Sequence, residues 1–175
     1  MIYFTADLHL GHTNIIRHCK RPFKSAEEMD ATIINNWNST IKPEDDIYIL
    51  GDFTMRPAAE AHEYVTQLKG RKYLIAGNHD RFLKNYAQYE QDYVWIKDYF
   101  VLRTDRLRIV LFHFPILEWD QFFRGAIHLY GHVHNSVKSA ERITMLKGSA
   151  FNVGVDVCDF RPVSISEIIS KANMV

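Results

Sequence analysis

Histidine, aspartate and asparagine residues recur at five places where an apolar stretch of the chain ends. The segments are Asp7-Leu8-His9, Gly51-Asp52, Gly77-Asn78-His79-Asp80, His113 and Gly131-His132-Val133-His134. Imidazole, carboxylate and amide groups without a thiolate form a ligand set that suits divalent ions such as Mn, Fe, Zn, Co or Ni. The candidate ligands are too many for one tetrahedral site, and they suit two ions if one carboxylate bridges them.

The spacing within two of these segments favours chelation. Asp7 and His9 are two positions apart, as are His132 and His134, so each pair shares one face of an extended strand. A glycine directly precedes Asp52, Asn78 and His132 and allows the backbone to turn sharply at each. Two ions about 3.5–4 Å apart hold the attacking and leaving oxygens of an in-line displacement and acidify a bound water. The predicted chemistry is therefore hydrolysis at a phosphoryl group.

The segments that carry these residues alternate between strand and helix patterns. Strands are predicted at residues 2–6, 47–50, 73–76, 99–103, 108–112, 127–130, 143–146 and 151–157, and helices at 15–19, 25–40, 57–68, 81–91 and 164–172. Ser25 with Glu28, and Ser164 with Glu167, form capping boxes. Because loops at the carboxyl ends of neighbouring strands converge, we expect the candidate ligands to meet, in two packed sheets flanked by helices.

The bulk composition is that of a single globular domain over residues 1–175. Hydrophobic residues make up 47% and charged residues 24%, and 21 basic side chains balance 21 acidic ones. This balance provides no global field for nucleic acid. Cys19 and Cys158 form no CxxC pattern and are expected to be core thiols. No apolar run reaches the roughly 20 residues of a membrane span. We expect a cytoplasmic protein, and the sequence does not indicate its oligomeric state.

The five segments, taken in order, resemble the calcineurin-like metallophosphoesterases, whose pattern is DxH, GD, GNH with D or E, H and GHxH. The matching blocks span residues 7–134. The resemblance implies an α/β fold, a four-layer sandwich of two mixed β-sheets flanked by helices, without a cap domain in so short a chain. It also implies one metal bound by Asp7, His9 and His134, a second bound by Asn78, His113 and His132, and Asp52 bridging both.

The same resemblance implies roles for two residues that are not ligands. His79 lies over the phosphate and stabilises charge or protonates the leaving oxygen. Asp80 orients His79, as carboxylates orient imidazoles elsewhere. The expected reaction is hydrolysis of a phosphodiester or phosphomonoester by in-line attack of a hydroxide that bridges two divalent ions, with manganese favoured.

The sequence is compatible with several substrate classes and with one non-catalytic function. The zero net charge favours a small nucleotide-like ester over a nucleic acid. A nuclease with the same site is one alternative. A non-catalytic protein-interaction scaffold is another, although scaffolds on this fold have typically lost the residue that matches His79.

Four residues close to the motifs are candidate substrate contacts. These are His12, Asn14, Arg17 and Arg81. Asn14 is equally suited to cap the helix predicted at 15–19. Arg81 directly follows the Gly77-Asn78-His79-Asp80 block and must lie near it. Arg21, Arg124 and Arg161 are further arginines that could reach a phosphate, with a surface position as the default for each.

Overall fold

The computed structural model describes residues 1–105, 107–139 and 150–173. Its strands are β1 (Ile2–Thr5), β2 (Asp46–Leu50), β3 (Arg71–Ile75), β4 (Trp95–Lys97), β5 (Tyr99–Arg103), β6 (Arg108–Phe112), β7 (Ile127–Tyr130), β8 (Ala150–Asn152) and β9 (Val163–Ser164). Its α-helices are α1 (Thr13–His18), α2 (Ala26–Thr40), α3 (Ala58–Thr66) and α4 (Ile165–Asn173). None of the described helices is long and apolar enough to cross a bilayer.

The strands form two mixed sheets, as predicted. The first has the order β4-β3-β2-β1-β9, and the second has the order β5-β6-β7-β8. All pairings are parallel except those of β1 with β9 and of β5 with β6. The carboxyl ends of β1, β2 and β3 therefore share one edge of the first sheet, and those of β6 and β7 share one edge of the second.

The first sheet is buried on both faces, which explains the unbroken apolar runs of its strands. Side chains alternate between faces along a strand. Ile47 and Ile49 pack against the helices with Met29, Ile33, Trp37, Ala61 and Val65. Tyr48 and Leu50 pack instead against the second sheet with Ile109, Leu111 and Leu129. The sandwich thus has a helix layer, two sheets and an apolar core in each of the two gaps.

The outer face of the second sheet has a thinner cover in the described residues. Val110, Trp119 and Ala126 form its small core. The segment over it contains a short 3-10 helix, Phe122–Arg124, and the Trp119 indole N–H donates to the Ala126 carbonyl at 2.9 Å.

Two predicted elements differ from those of the structure. The predicted helix at 81–91 is a pair of 3-10 helices, Arg81–Asn85 and Ala87–Asp92, whose turns are tighter than those of an α-helix. Phe82 in the first helix and Tyr86 between the two pack into the core. The predicted strand at 151–157 ends at Asn152, and a 3-10 helix follows at Val155–Val157. The chain turns there because Gly154 passes close to Asp7, where a Cβ would lie 2.7 Å from Oδ2.

The remaining differences are smaller. The predicted strand at 143–146 lies outside the described residues. The short strands β4 and β9 were not predicted, and α3 ends at Thr66 rather than at residue 68. The predicted capping box at Ser164 is complete, since Ser164 and Glu167 bond reciprocally at 3.2 and 2.7 Å. At the other, the Ser25 hydroxyl accepts from the Glu28 amide at 3.3 Å, while the Glu28 carboxylate accepts from the Lys24 amide at 2.8 Å.

Candidate metal centre

Two groups of ligand-type side chains meet where the sheet edges adjoin. In the first group, one atom each of Asp7, His9 and His134 lies within 4.8 Å of the others. The second group, Asp52, His113 and His132, meets the same limit. The loops after β1, β2, β6 and β7 supply these residues, so segments far apart in sequence converge as the strand-end pattern predicted.

Asp52 lies between the two groups. Its Oδ2 atom is 3.5 Å from Nε2 of His9 and 3.4 Å from Nε2 of His113. One carboxylate oxygen therefore faces an imidazole from each group, which is the placement that a bridging ligand requires.

Asn78 completes the second group. Its Oδ1 atom is 3.0 Å from Nε2 of His113 and 3.0 Å from Nδ1 of His132. The other ring nitrogen of His113, Nδ1, is held 2.8 Å from the Leu50 carbonyl. This contact orients the ring and leaves Nε2 facing Asn78 and Asp52.

His9 gives an independent indication that the residues fit a cation. Both of its ring nitrogens are buried and have no hydrogen-bond partner, and the residue is 1% exposed. Buried polar atoms are nearly always paired, and a divalent ion is a natural partner for a neutral imidazole among carboxylates. The donor set and this unpaired imidazole both match a metal centre.

The backbone at the centre is unusual, and the predicted strand geometry of the two chelating pairs is wrong. Asp7, His9, Asp52, His132 and His134 all have left-handed backbones, with φ of 57°, 53°, 55°, 69° and 49°. Such angles are uncommon in residues other than glycine and cluster at functional sites. The turns keep Asp7 and His9 in one group, whereas they send His132 and His134 to different groups.

Close packing at Gly51 helps to hold these turns. Its φ is 85°, and a Cβ there would overlap the Nδ1 atom of His113 and lie 2.7 Å from the Cα atom of Gly77. Only glycine lets the three loops approach this closely.

Burial and neighbouring charges set the protonation of three of the candidate ligands. Burial raises the pKa of Asp7 to about 6 against the opposing effect of His134. Burial also lowers the pKa of His9 to about 3, so this imidazole is neutral. For Asp52, burial acts upward, but the hydrogen bond and charge of His113 outweigh it and bring the pKa to about 2.

Asp156 was missed by sequence reasoning, and it supports the first group. Its Oδ2 atom is 2.8 Å from Nδ1 of His134, and Arg21 donates to both carboxylate oxygens at 2.8 Å. Burial lowers the pKa of His134, but the hydrogen bond that its ring donates to Asp156 outweighs burial and raises the pKa to about 10. A lone aspartate in an apolar segment was the one available signal, since such charges are rarely buried unpaired.

Arg21 is a structural clamp rather than a substrate contact. Its side chain is 0% exposed and donates to the carbonyls of Leu8 at 2.9 Å and Asp7 at 2.7 Å. Cys19, His134 and Asp156 also approach within 4.8 Å of one another. Because Arg21 already neutralises Asp156, this third group is a poorer cation site. Both cysteines are buried and free, as expected.

His79 and Asp80 do not interact as expected. The His79 ring centroid is 5.5 Å from that of His9, and its Nδ1 atom is buried without a partner. The Asp80 carboxylate instead accepts the amides of Asp52, Phe53 and Gly77 at 2.9, 2.7 and 2.8 Å. The expectation that Asp80 orients His79 by a hydrogen bond is therefore wrong, because backbone donors hold both oxygens of Asp80 and join two loops.

A groove of about 580 Å³ opens beside the centre. It is lined by His79 and His134 and by His12, Ile15, Met55 and Val133. His12 is thus the predicted substrate contact that the structure brings to the groove. Asn14, Arg17 and Arg81 are exposed and lie outside its lining. Asn14 does not cap α1, because the N-cap position is His12.

Comparisons with known proteins agree with this geometry. Residues 1–103 match the sequence profile of the calcineurin-like phosphoesterases. An uncharacterized protein of Methanocaldococcus jannaschii is 32% identical over 170 residues, covering 96% of this chain and 89% of the relative. The Gene 66 protein of Mycobacterium phage L5 is 27% identical over 198 aligned residues, covering 98% and 93%. The crystal structure of a protein of unknown function from Aquifex aeolicus has a TM-score of 0.75 at 28% identity, covering 97% and 98%.

Proposed function

Because the chain belongs to the calcineurin-like phosphoesterase family, and is thus a metal-dependent hydrolase of phosphoric esters, we propose that it cleaves a small phosphate ester using two adjacent divalent ions. The observation that carries this proposal is the position of Asp52, whose Oδ2 faces His9 at 3.5 Å and His113 at 3.4 Å. A carboxylate shared by two ligand groups supports a dinuclear rather than a mononuclear centre.

Each ligand group has a donor set for one ion. Asp7, His9 and His134 would hold the first ion, Asn78, His113 and His132 would hold the second, and Asp52 would be shared by both. When bound, two such ions acidify water and stabilise negative charge on phosphoryl oxygens. Two features of the chain favour metal binding. Burial keeps the His9 imidazole neutral, and a contact with the Leu50 carbonyl fixes the orientation of the His113 ring. We propose manganese as the native metal, and Fe, Zn, Co and Ni suit the same donors.

His79 is the proposed acid at the leaving oxygen. Its amide donates to Asp52 Oδ1 at 2.8 Å, which ties its position to the proposed bridging ligand. Its ring lines the groove and is not committed to any other residue through Nδ1. A proton or hydrogen bond from this ring stabilises the departing oxygen, the usual contribution of a general acid.

The groove supports a small substrate. A volume of about 580 Å³ is in the range of small-molecule sites, and apolar Met55 and Val133 beside His12 suit a base or an aromatic group. We propose a nucleotide-like phosphodiester or phosphomonoester rather than a nucleic acid strand, which the zero net charge does not attract.

A metal-loaded substrate panel tests the proposal. The manganese-loaded protein is assayed on bis- and mono-nitrophenyl phosphate, cyclic nucleotides, dinucleotides, mononucleotides, sugar phosphates and a single-stranded oligonucleotide. We expect turnover of the small esters that a chelator abolishes. His79→Ala should keep its metal and lose most activity, above all with poor leaving groups, while His62→Ala, outside the site, is the control.

Four results would each contradict part of this proposal. Chelator-insensitive turnover, or none on any ester, would refute the metal-dependent reaction. Full activity in His79→Ala would remove this residue from the mechanism, and preferential cleavage of the oligonucleotide would favour the nuclease alternative.

A further inference from the structure

Three arginines surround a pocket at the end of the second sheet that is remote from the metal centre. Arg103, Arg108 and Arg124, together called the arginine pocket, line a cavity of about 470 Å³ with Gln121 and Gly125. A Cβ on Gly125 would meet no atom within 4 Å, so the cavity is open at that side. The volume is sufficient for a small molecule.

Two of these arginines are cross-strand partners. Arg103 at the end of β5 pairs directly with Arg108 at the start of β6. The adjacent pair, Leu102 and Ile109, is buried between the sheets, so by strand alternation both arginines lie on the outer face. Like charges directly opposite one another destabilise a strand pair. Folding alone gives no reason for this arrangement.

The described lining of the arginine pocket also contains fewer carboxylates than arginines. Arg21, Arg56, Arg71 and Arg161 each pair with an aspartate or glutamate. Among the described residues, no carboxylate forms an ion pair with Arg103, Arg108 or Arg124. The Arg124 guanidinium donates to Gln121 Oε1 at 3.3 Å, and Asp105 is the one acidic residue in the described lining. The local formal charge is therefore positive.

The pocket is separate from the metal centre. Arg108 begins β6, and His113 directly follows the end of that strand. Five residues of extended chain span roughly 16 Å. A small anion in the arginine pocket therefore cannot also occupy the metal centre.

We propose that the arginine pocket binds a small anion that carries two or more phosphate groups. Guanidinium groups form paired hydrogen bonds with phosphate oxygens, and a second phosphate lets one ligand reach both the cross-strand pair and Arg124. The bound anion offsets the repulsion between Arg103 and Arg108. This site adds a ligand to the protein that is independent of the reaction at the metal centre.

Pyrophosphate binding to the chelator-treated protein tests the proposal without the metal centre. Calorimetry and thermal unfolding at low ionic strength should show binding and a rise in Tm. The double variant Arg103→Gln/Arg108→Gln should bind about tenfold or more weakly and lose that rise. Without ligand its Tm should equal or exceed that of the wild type, because the repulsion is removed. Lys42→Gln, which removes one exposed cation elsewhere, is the control for a general loss of positive charge.

Three outcomes would overturn the proposal. The first is no binding to the wild-type protein at about 10 mM pyrophosphate, a concentration well above that of an ordinary ligand site. The second is equal binding by the wild type and the double variant. The third is arginine-dependent binding of a single-stranded oligonucleotide without pyrophosphate binding, which would assign the pocket to a nucleic acid.

Discussion

His134 is oriented by a carboxylate from the 3-10 helix Val155–Val157. Asp156 contacts its Nδ1 atom at 2.8 Å, and Arg21 holds Asp156 in place through two hydrogen bonds. Partners of this kind fix the orientation of metal-binding imidazoles. Asp156 is therefore a positioning residue, and its effect on the His134 proton gives it a measurable signature.

Asp156→Asn should flatten the pH dependence of metal affinity. In the metal-free protein the pKa of His134 is about 10, so an ion must displace its proton, and affinity should rise with pH across neutrality. The variant loses the charge that raises this pKa, so its slope should fall by about one proton per ion. Manganese titrations between about pH 6.5 and 8.5 measure the slope.

Asp159→Asn is the matched control, since Asp159 is exposed nearby and pairs with neither Arg21 nor His134. An unchanged slope in Asp156→Asn would contradict the positioning role. The slope is the decisive quantity, because loss of orientation weakens binding at neutral pH while loss of proton competition strengthens it.

At this scale the sequence predicts which side chains converge but not how their backbones turn. The ordered motifs are visible because their residue types are unusual beside apolar strands. The left-handed turns at Asp7 and His132 are not visible, because tertiary contacts impose them on residues that normally avoid them. Asp156 belongs to no motif, so its contact with His134 could not be inferred.

At the scale of secondary-structure elements, the turn after β2 depends on Gly51. Gly51→Ala should weaken metal binding and destabilise the fold, because the new Cβ would overlap His113. Gly125→Ala is the matched control: its φ is 80° and nothing lies within 4 Å of its Cβ position, so it should cost only about 1 kcal/mol for the left-handed backbone. Denaturant unfolding and metal titration check both variants, and equal effects would contradict the crowding argument.

His128 on β7 makes the second sheet sensitive to acid. It is 0% exposed, its ring nitrogens lie 3.2 Å from the carbonyls of Val110 and Phe114, and burial lowers its pKa to about 4. The unfolded chain, with a value of 6.5, binds this proton first. Stability should therefore fall as pH drops from 6.5 toward 4, by up to about 3 kcal/mol.

Urea unfolding of His128→Gln tests this sign. The pH slope of the unfolding free energy reports the number of protons taken up on unfolding. Between the two pKa values, this number should be smaller by about one in the variant than in the wild type. His62→Gln is the control, since His62 lies on α3, outside the second sheet. A variant slope equal to that of the wild type would contradict the assignment.

The elements that the sequence predicts well have long apolar or clearly capped patterns. The β5–β6 pair and α2 belong to this class. The 3-10 helices at Arg81–Asn85 and Ala87–Asp92 share the apolar spacing of an α-helix, so the pattern does not separate the two. The two-residue strand β9 forms through pairing with β1, a tertiary contact without a local signal.

At the scale of the whole molecule, the metal centre joins the two sheets. Asp7, His9, Asp52 and Asn78 follow strands of the first sheet, and His113, His132 and His134 follow strands of the second. The fold class was predictable because the ordered motifs resemble one family. The arginine pocket was not, since the zero net charge conceals arginines that only folding brings together.

The most direct test is anomalous diffraction from manganese-soaked crystals of the wild-type protein and of Asp52→Asn. The wild type should show two peaks about 3.5–4 Å apart, one against Asp7, His9 and His134 and the other against Asn78, His113 and His132, and both should weaken in the variant. A single peak, a peak at Cys19 and Asp156 instead, or two undiminished peaks in Asp52→Asn would contradict the dinuclear centre bridged by Asp52.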